Sequence, residues 1–355
     1  MSGMLNASDA DSALESLHQM GCTDGLPVVI PTAERVQRMV LASGLDPDIE
    51  IGEMGPGFGV ATIEKVCVAA VMAGCLPEHV PVVIAAVKAI CQPEFDLTEM
   101  QVTTHCIAPM IIVNGPARVA CGDFSAGFGL MGPGHRANAS VGRALRLAMI
   151  NIGGATPGIS DMAIHGSPSK FSLCFAEDEE SSPYDPLHTT LGYDVDQSVV
   201  TILGVEGPHS VLFSGDVGDD ASAESLLNAI AAVIANRGSN NSYLGGTAAV
   251  AVILNPEHAE VLNSTGWTRD RIQETLAERA VTPRSELEAL NAKMLSGKDE
   301  LIPAIRNPKN IHVLVAGGPG LYTVVMPSWC AGPHGNIAVH AEIELDQYCE
   351  IPDRT

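Results

Sequence analysis

Three arginines, Arg136, Arg143 and Arg146, stand in a segment with no acid from Phe124 to Ser160, although the chain has 42 acidic and 19 basic residues. At about 100° per residue, Arg143 and Arg146 fall about 60° apart on one side of a helix, with Val141, Leu145 and Ala148 opposite. The remaining positions between 139 and 151 are largely Ala, Leu, Met and Ile, which predicts a helix buried nearly all round. A buried guanidinium left without a partner costs about 3–5 kcal/mol, so something anionic must meet these side chains. One partner would be a ligand carboxylate or phosphate, held by an arginine fork and by N–H groups at the glycine-preceded helix start in "GPGHRANAS" (132–140). A second would be the segment from Phe171 to Asn236, which carries twelve acids and no Lys or Arg. The third is another subunit, and a homo-oligomer is expected. On the ligand reading, Arg143→Ala should weaken anion binding more than folding.

"CFAEDEESSPYDPLH" (174–188) gathers Cys174, Glu177, Asp178, Glu179, Glu180, Asp185 and His188, enough for acid/base work or a metal. Four consecutive acids more often form a solvated face or partner arginines than hold a metal, and no regular metal-ligand spacing is present. "TTHCIAP" (103–109) offers His105 as a general base near a strand start. His105 and Cys106 cannot form a dyad by adjacency, because strand neighbours point to opposite faces. Cys75 falls at an expected helix C-terminus, where the dipole raises a thiol pKa, so both Cys75 and Cys174 read either as nucleophiles or as buried structural thiols. The glycine loops "GPGFGVATIEK" (55–65) and "VAGGPGLY" (315–322) match neither G-x-G-x-x-G nor G-x-x-x-x-G-K-[ST], which disfavours a dinucleotide or ATP site and leaves packing turns or ligand loops.

The elements that would position these groups follow from caps and periodicity. Helices are expected over 10–20, ended by Gly21, over 33–42 behind Thr32, and over about 139–151. "IEIGEMGPGFGVATIEKVCVAAVMAGC" predicts a strand, a glycine loop and a helix ending near Gly74, with a further helix in "PEHVPVVIAAVKAIC". "APMIIVNG" is a buried strand by its β-branched run. In the second half "SVVTILGV", "SVLFSG", "TAAVAVILN", "IHVLVAGG" and "YTVVMP" are strand candidates between helical patterns at 221–236, 256–263, 268–280 and 284–295. The expected class is α/β, with mixed α+β as the variant, as two α/β layers around short β-branched strands with partly parallel pairing. The halves would be 1–178, helix-rich with the Gly/Arg segment, and 198–355, joined by the acidic connection 179–197.

Composition narrows the function classes. The 355 residues are 46% apolar and only 4% aromatic, with a net charge of −23. That balance disfavours nucleic acid, whose phosphates need clustered Lys and Arg, and anionic membrane surfaces. Nine cysteines, an odd number without C-x-x-C spacing, fit a reducing cytoplasm. The N-terminus has early acids and no apolar core of a signal peptide, and apolar runs such as "VCVAAVMAGCL" are far shorter than the ~20 residues that span a bilayer.

The blocks "TDGLPVVIPT" (23–32), "AVMAGCLPEHVPVVIAAVKAI" (70–90), "VNGPAR" (113–118), "GPGHRANASVGRALRL" (132–147), "NIGGATPGISDMA" (151–163), "GSPSKFSLCFAEDEESSPYDPLH" (166–188) and "NPEHAEVLNSTGWTRDRIQETLAE" (255–278) resemble a prokaryotic protein family over most of the chain. The resemblance implies a link to a separate small protein with a selenocysteine- or cysteine-containing motif, similar to the glycine and betaine reductase substrate subunits. It further implies one component of a two-part enzyme. The matching residues are Asp24, Thr104, Asn114, Arg136, Asn138, Arg143, Asn151, Asp161, Lys170, Glu177, Glu179 and His188; Cys22 and Tyr184 depart from an expected aromatic and Trp.

Together these readings predict a cytoplasmic enzyme or enzyme subunit, a hydrolase or lyase, that binds a small anionic organic molecule and cleaves a carbon–heteroatom bond. Arg136, Arg143 and Arg146 would clamp the anion, with Asn138, Thr104, Asn114 and Lys170 as further binding groups. His105 or His188, with Glu177, would move protons; Cys174 or Cys75 would be the nucleophile if thiol chemistry is used. The alternatives are a non-catalytic substrate-binding subunit serving a thiol or selenol partner, and a metal-dependent hydrolase built on the acidic segment.

Overall fold

The computed structural model describes residues 5–244, 246, 249–329 and 331–345; Cys330 and Cys349 lie outside them. Within that span are twelve strands: β1 (Glu50–Met54), β2 (Gly59–Thr62), β3 (Ala108–Asn114), β4 (Cys174–Ala176), β5 (Val199–Val205), β6 (His209–Leu212), β7 (Val250–Leu254), β8 (Val281–Pro283), β9 (Leu301–Pro303), β10 (Ile311–Val315), β11 (Tyr322–Met326) and β12 (Val339–Glu342). Two four-stranded mixed sheets run β12-β5-β3-β4 and β10-β7-β11-β6. β3 with β4 and β10 with β7 are parallel, and the other pairs in these sheets are antiparallel. β1 with β2 and β8 with β9 form separate antiparallel pairs. The mixed α/β class is as expected.

Strand alternation sorts the side chains into layers, because successive residues point to opposite faces. On β3, Ile111 and Val113 face one core with Val200 and Ile202 of β5, and with the helices Ile63–Ala73, Val80–Ile90 and Arg136–Asn151. Met110 and Ile112 face the other way and join Ala251, Ile253, Leu314 and Met326 in a cluster common to both sheets. Val250, Val252, Val313 and Val315 then face a third core with helices Asp220–Ile234, Pro256–Asn263 and Arg269–Arg279. The order is helices, sheet, sheet, helices. Strand pairing crosses the expected halves, since β5 and β12 complete the sheet begun by β3 and β4. Among the described residues no helix is long and apolar enough to cross a membrane.

Local signals explain the helices that matter for the site. Thr62 caps Ile63–Ala73 by accepting from Lys65 N, and left-handed Gly74 ends it. The arginine helix starts at Arg136, three residues ahead of the expected 139, and 11 of its 16 residues are buried. Gly142 is required within it: a Cβ there would meet Ser172 Oγ and come within 2.8 Å of the Leu173 backbone N. Its absence lets the helix lie directly against residues 172–173. One turn further along, Arg146 is brought beside Lys170.

Candidate functional site

Arg146 and Lys170 converge on a single carboxylate. Arg146 Nη2 donates to Asp161 Oδ2 at 2.8 Å, and Lys170 Nζ donates to Asp161 Oδ1 and Oδ2 at 2.9 and 3.0 Å. Arg146 Nη1 also donates to Gln101 Oε1 at 3.3 Å. Burial opposes the charge on Asp161, but Lys170 and Arg146 outweigh it and hold the carboxyl below its ordinary range. Burial likewise pushes the Lys170 ammonium down, only partly countered by Asp161. Two cations on one anion leave an excess positive charge in a low-dielectric site, where it counts for more than in water.

The loop that carries Asp161 is built from small polar turns. Ser160 Oγ donates to Gly154 O at 2.5 Å and accepts from Thr156 N at 2.9 Å, while Gly158 N donates to Asp161 O at 2.8 Å. Met162 N donates to Gln101 O and Ile164 N to Thr104 O, at 3.1 and 3.0 Å. Thr104 thus supports the loop through its backbone carbonyl.

Arg146 and Lys170, the two cations on Asp161, border a pocket of about 670 Å³. Its walls are Thr23, Asp24 and Gly25 on one side, Thr156 and Pro157 on a second, and Gly166, Ser167 and Pro168 on a third, with Ile150 and Phe171 supplying apolar surface. Four of the sequence blocks therefore meet here: "TDGLPVVIPT", the arginine helix, "NIGGATPGISDMA" and "GSPSK". Gly25 adopts φ +92°, a left-handed conformation that an L side chain rarely takes, in the turn after Asp24. A mainly apolar cavity with a few convergent polar groups has the character of a small-molecule site. Ile159 and Ile164, 78% and 71% exposed, belong to the same loop.

The other two helix arginines have different occupations. Arg143 Nε and Nη2 grip Asp24 at 2.7 and 2.9 Å, and Nη2 also donates to Pro27 O at 2.9 Å. The Asp24 side chain is only 3% exposed, so this fork is an internal ion pair that braces one pocket wall. Arg136 donates through Nε and Nη2 to the carbonyl of Gly74 at 3.2 and 2.9 Å, tying the arginine helix to the end of its neighbour. Asn138 does not reach a ligand position. Its Oδ1 accepts from Ser125 N, and its Nδ2 donates to Ser125 O and Leu130 O, so it staples the 125–130 backbone.

The acidic segment partners other arginines. Arg118 pairs with Glu180 at 2.8 Å and Glu179 at 3.0 Å, and Arg269 lies 3.7 Å from Glu177. Of the partners left open, the acidic segment is not the one that meets these arginines: Arg143 pairs with Asp24, Arg146 pairs with Asp161, the first acid after the acid-free stretch, and Arg136 is held by the Gly74 carbonyl. Asn114 Nδ2 donates to Glu177 Oε2 and Glu179 Oε1 at 2.6 and 2.9 Å, and Leu187 N donates to Glu177 Oε2 at 2.7 Å. Burial pushes the Glu177 carboxyl up to about 7 in spite of Arg269 and these bonds. His188 is fully buried. Asn114 and Glu177 belong to this network, His188 sits buried with neither ring nitrogen hydrogen-bonded among the described residues, and none of the three lines the pocket. No group of three His, Cys, Asp or Glu with metal-holding geometry occurs among the described residues.

His105 is also away from the pocket, between Asn240 Nδ2 at 2.9 Å and Glu206 Oε1 at 3.2 Å. Both proposed nucleophiles are buried, and desolvation raises Cys75 and Cys174 well above the ordinary thiol range. A thiol that stays protonated is a poor nucleophile, so these two serve as core residues. Glu206, His209 and Asn240 around His105 carried no local sequence signal, and Thr23 and Ser167 on the pocket wall had only that of lying within the quoted blocks. A scan against protein-family models finds none that matches the chain, and a search of curated proteins finds no match either.

Proposed function

We propose that this chain binds a small organic anion with an apolar body in the pocket over Arg146 and Lys170, and cleaves a carbon–heteroatom bond in it by hydrolysis or elimination. The observation that carries the reading is the pairing of two cations with one buried carboxylate at the pocket edge. The excess charge suits a carboxylate or phosphate head, while Ile150, Pro157, Pro168 and Phe171 suit the body of the ligand. Lys170 is the proton-transfer group: burial makes its ammonium a better acid than a surface lysine, and Asp161 fixes its position. Arg146 is the binding cation, since a guanidinium keeps its charge.

The test uses two substitutions. Lys170→Arg keeps the charge, and is expected to retain binding of aryl and alkyl carboxylates or phosphate esters while losing turnover. Lys170→Met is expected to weaken binding at least about tenfold, as loss of one charged contact does. Unchanged binding by folded Lys170→Met, measured calorimetrically, would sink the reading. A second reading, that the chain presents the bound molecule to a separate thiol or selenol protein, is favoured by the exposed apolar Ile159 and Ile164 beside the pocket and by the protonated state of Cys75 and Cys174. It predicts ligand binding without turnover by the purified chain, and activity only on adding the partner.

A further inference from the structure

A second cavity, of about 600 Å³, shares no lining residue with the pocket above but lies against it. The strip from Met20 to Thr23 is the partition: Gly21 and Thr23 line the Arg146–Lys170 pocket, while Met20 and Cys22 line the second cavity. The strip is pinned from both sides, since Cys22 N donates to Leu17 O at 2.9 Å and Asn151 Nδ2 donates to Cys22 O at 3.0 Å. The long wall is helix Ile63–Ala73, from which Lys65, Val68 and Met72 face the cavity. These positions are spaced by a helical turn and share one side of the helix, and at about 1.5 Å per residue they span about 10 Å. Ala13 and Leu17 of helix Ala10–Gln19, with Ile152, complete an apolar channel along them.

The charge of this channel sits at one end. Lys65, in the first turn of its helix, is the one charged residue among those that line it, and Glu34 and Glu64, the acids in the first turns of the bordering helices, are not in the wall. Lys65 Nζ donates to Val60 O at 2.6 Å, and among the described residues no carboxylate comes within ion-pair distance of it. A single carbonyl leaves the ammonium with further N–H donors for a ligand. The channel touches the N-terminal ends of helices Ala33–Ser43 and Ile63–Ala73 and the C-terminal ends of Ala10–Gln19 and Arg136–Asn151, so the helix dipoles offset one another and Lys65 sets the sign.

We propose that this channel binds a medium-chain alkyl carboxylate, a small free fatty acid, with its head on Lys65 and its chain along helix Ile63–Ala73 towards Met72. A compact anion would leave the apolar wall uncovered, and an uncharged chain would leave the ammonium unanswered. The assignment is independent of the function proposed for the Arg146–Lys170 pocket.

The experiment is a titration of the intact chain, labelled at its methionine methyl groups for magnetic resonance, with decanoate below its micellar range and with decanol as the uncharged counterpart, at about 0.15 M salt to screen the acidic surface. Met20 and Met72 report on this channel, and no methionine lines the other pocket, so a ligand held there is not mistaken for one held here. The expected result is a saturable 1:1 shift of both methyl signals with decanoate, and binding about tenfold weaker both for decanol and for decanoate in Lys65→Met. Ala33 is exposed on the channel wall, so Ala33→Phe fills the space without removing a core residue and should abolish the shifts. Absence of a saturable shift up to about 1 mM decanoate would overturn the proposal. Decanol binding as tightly as decanoate would overturn it as well, and so would shifts that survive Ala33→Phe or keep their midpoint in Lys65→Met. Shifts lost in Lys170→Met would assign the ligand to the other pocket, with the same consequence.

Discussion

Arg143 shows how a partner decides what a charged residue does. Sequence periodicity places it correctly on a buried helix but leaves its anion open between ligand, acidic segment and subunit. The bidentate grip on Asp24 makes it a brace for the pocket wall. Arg143→Ala is therefore expected to lower folding stability by about 3 kcal/mol, because it strands a buried carboxylate, the reverse of the order expected from a ligand clamp. Chemical denaturation measures the loss, and a change below about 0.5 kcal/mol would contradict it. Glu177 gives a prediction of different form. Its folded value near 7 lies above its ordinary 4.5, so its contribution to stability is complete below about 4.5 and is lost as pH rises through 7. Glu177→Gln should flatten that slope in a plot of melting temperature against pH. Glu206, held at about 2, contributes in the opposite sense, present above about 4.5 and lost as pH falls through 2.

At the scale of elements, the arginine helix owes its position to Gly142, which lets it lie against Ser172 and Leu173. Gly142→Val should force the two apart, cost about 1–3 kcal/mol and separate Arg146 from Lys170. Anion binding should then fall although neither cation is altered, which calorimetry on the folded variant would register. Much of this level was legible in the sequence. The helix Pro256–Asn263 has the expected bounds, and Ala10–Gln19, Ala33–Ser43 and Asp220–Ile234 agree within a residue or two because caps and apolar periodicity coincide. The strands β2, β4, β8, β9 and β12 were not legible. They are three or four residues long, too short for alternation to show; β2 pairs with its neighbour β1 across a short turn, whereas the others are completed by partners further away in the chain. The candidate site divides the same way. Arg146 and Lys170 stood out by type and by resemblance, whereas their meeting on Asp161, and the convergence of residues 23–25 with 156–157 and 166–168, depends on tertiary packing that local spacing does not encode.

The whole molecule sets the conditions under which either cavity would be used. With a net charge of −23, the protein repels an approaching anion at distances beyond the reach of Arg146 and Lys170. Association of a carboxylate with the pocket should therefore speed up as salt rises from about 0.01 to 0.15 M, since the Debye length contracts from about 30 to 8 Å. Stopped-flow measurement giving a slowing over that range would contradict this. The layer between the sheets is the mechanical centre: Ile112→Ala, in the cluster shared by both, is expected to cost about 2–5 kcal/mol in denaturant unfolding. The strand order also has a consequence for synthesis. The apolar helices Ile63–Ala73 and Val80–Ile90 leave the ribosome long before their sheet exists; β3 and β4 offer only a parallel pair, β5 widens it, and β12 closes it after residue 338. For most of translation those helices have no finished surface to cover, so their apolar faces stay exposed until β12, the last strand among the described residues, is in place.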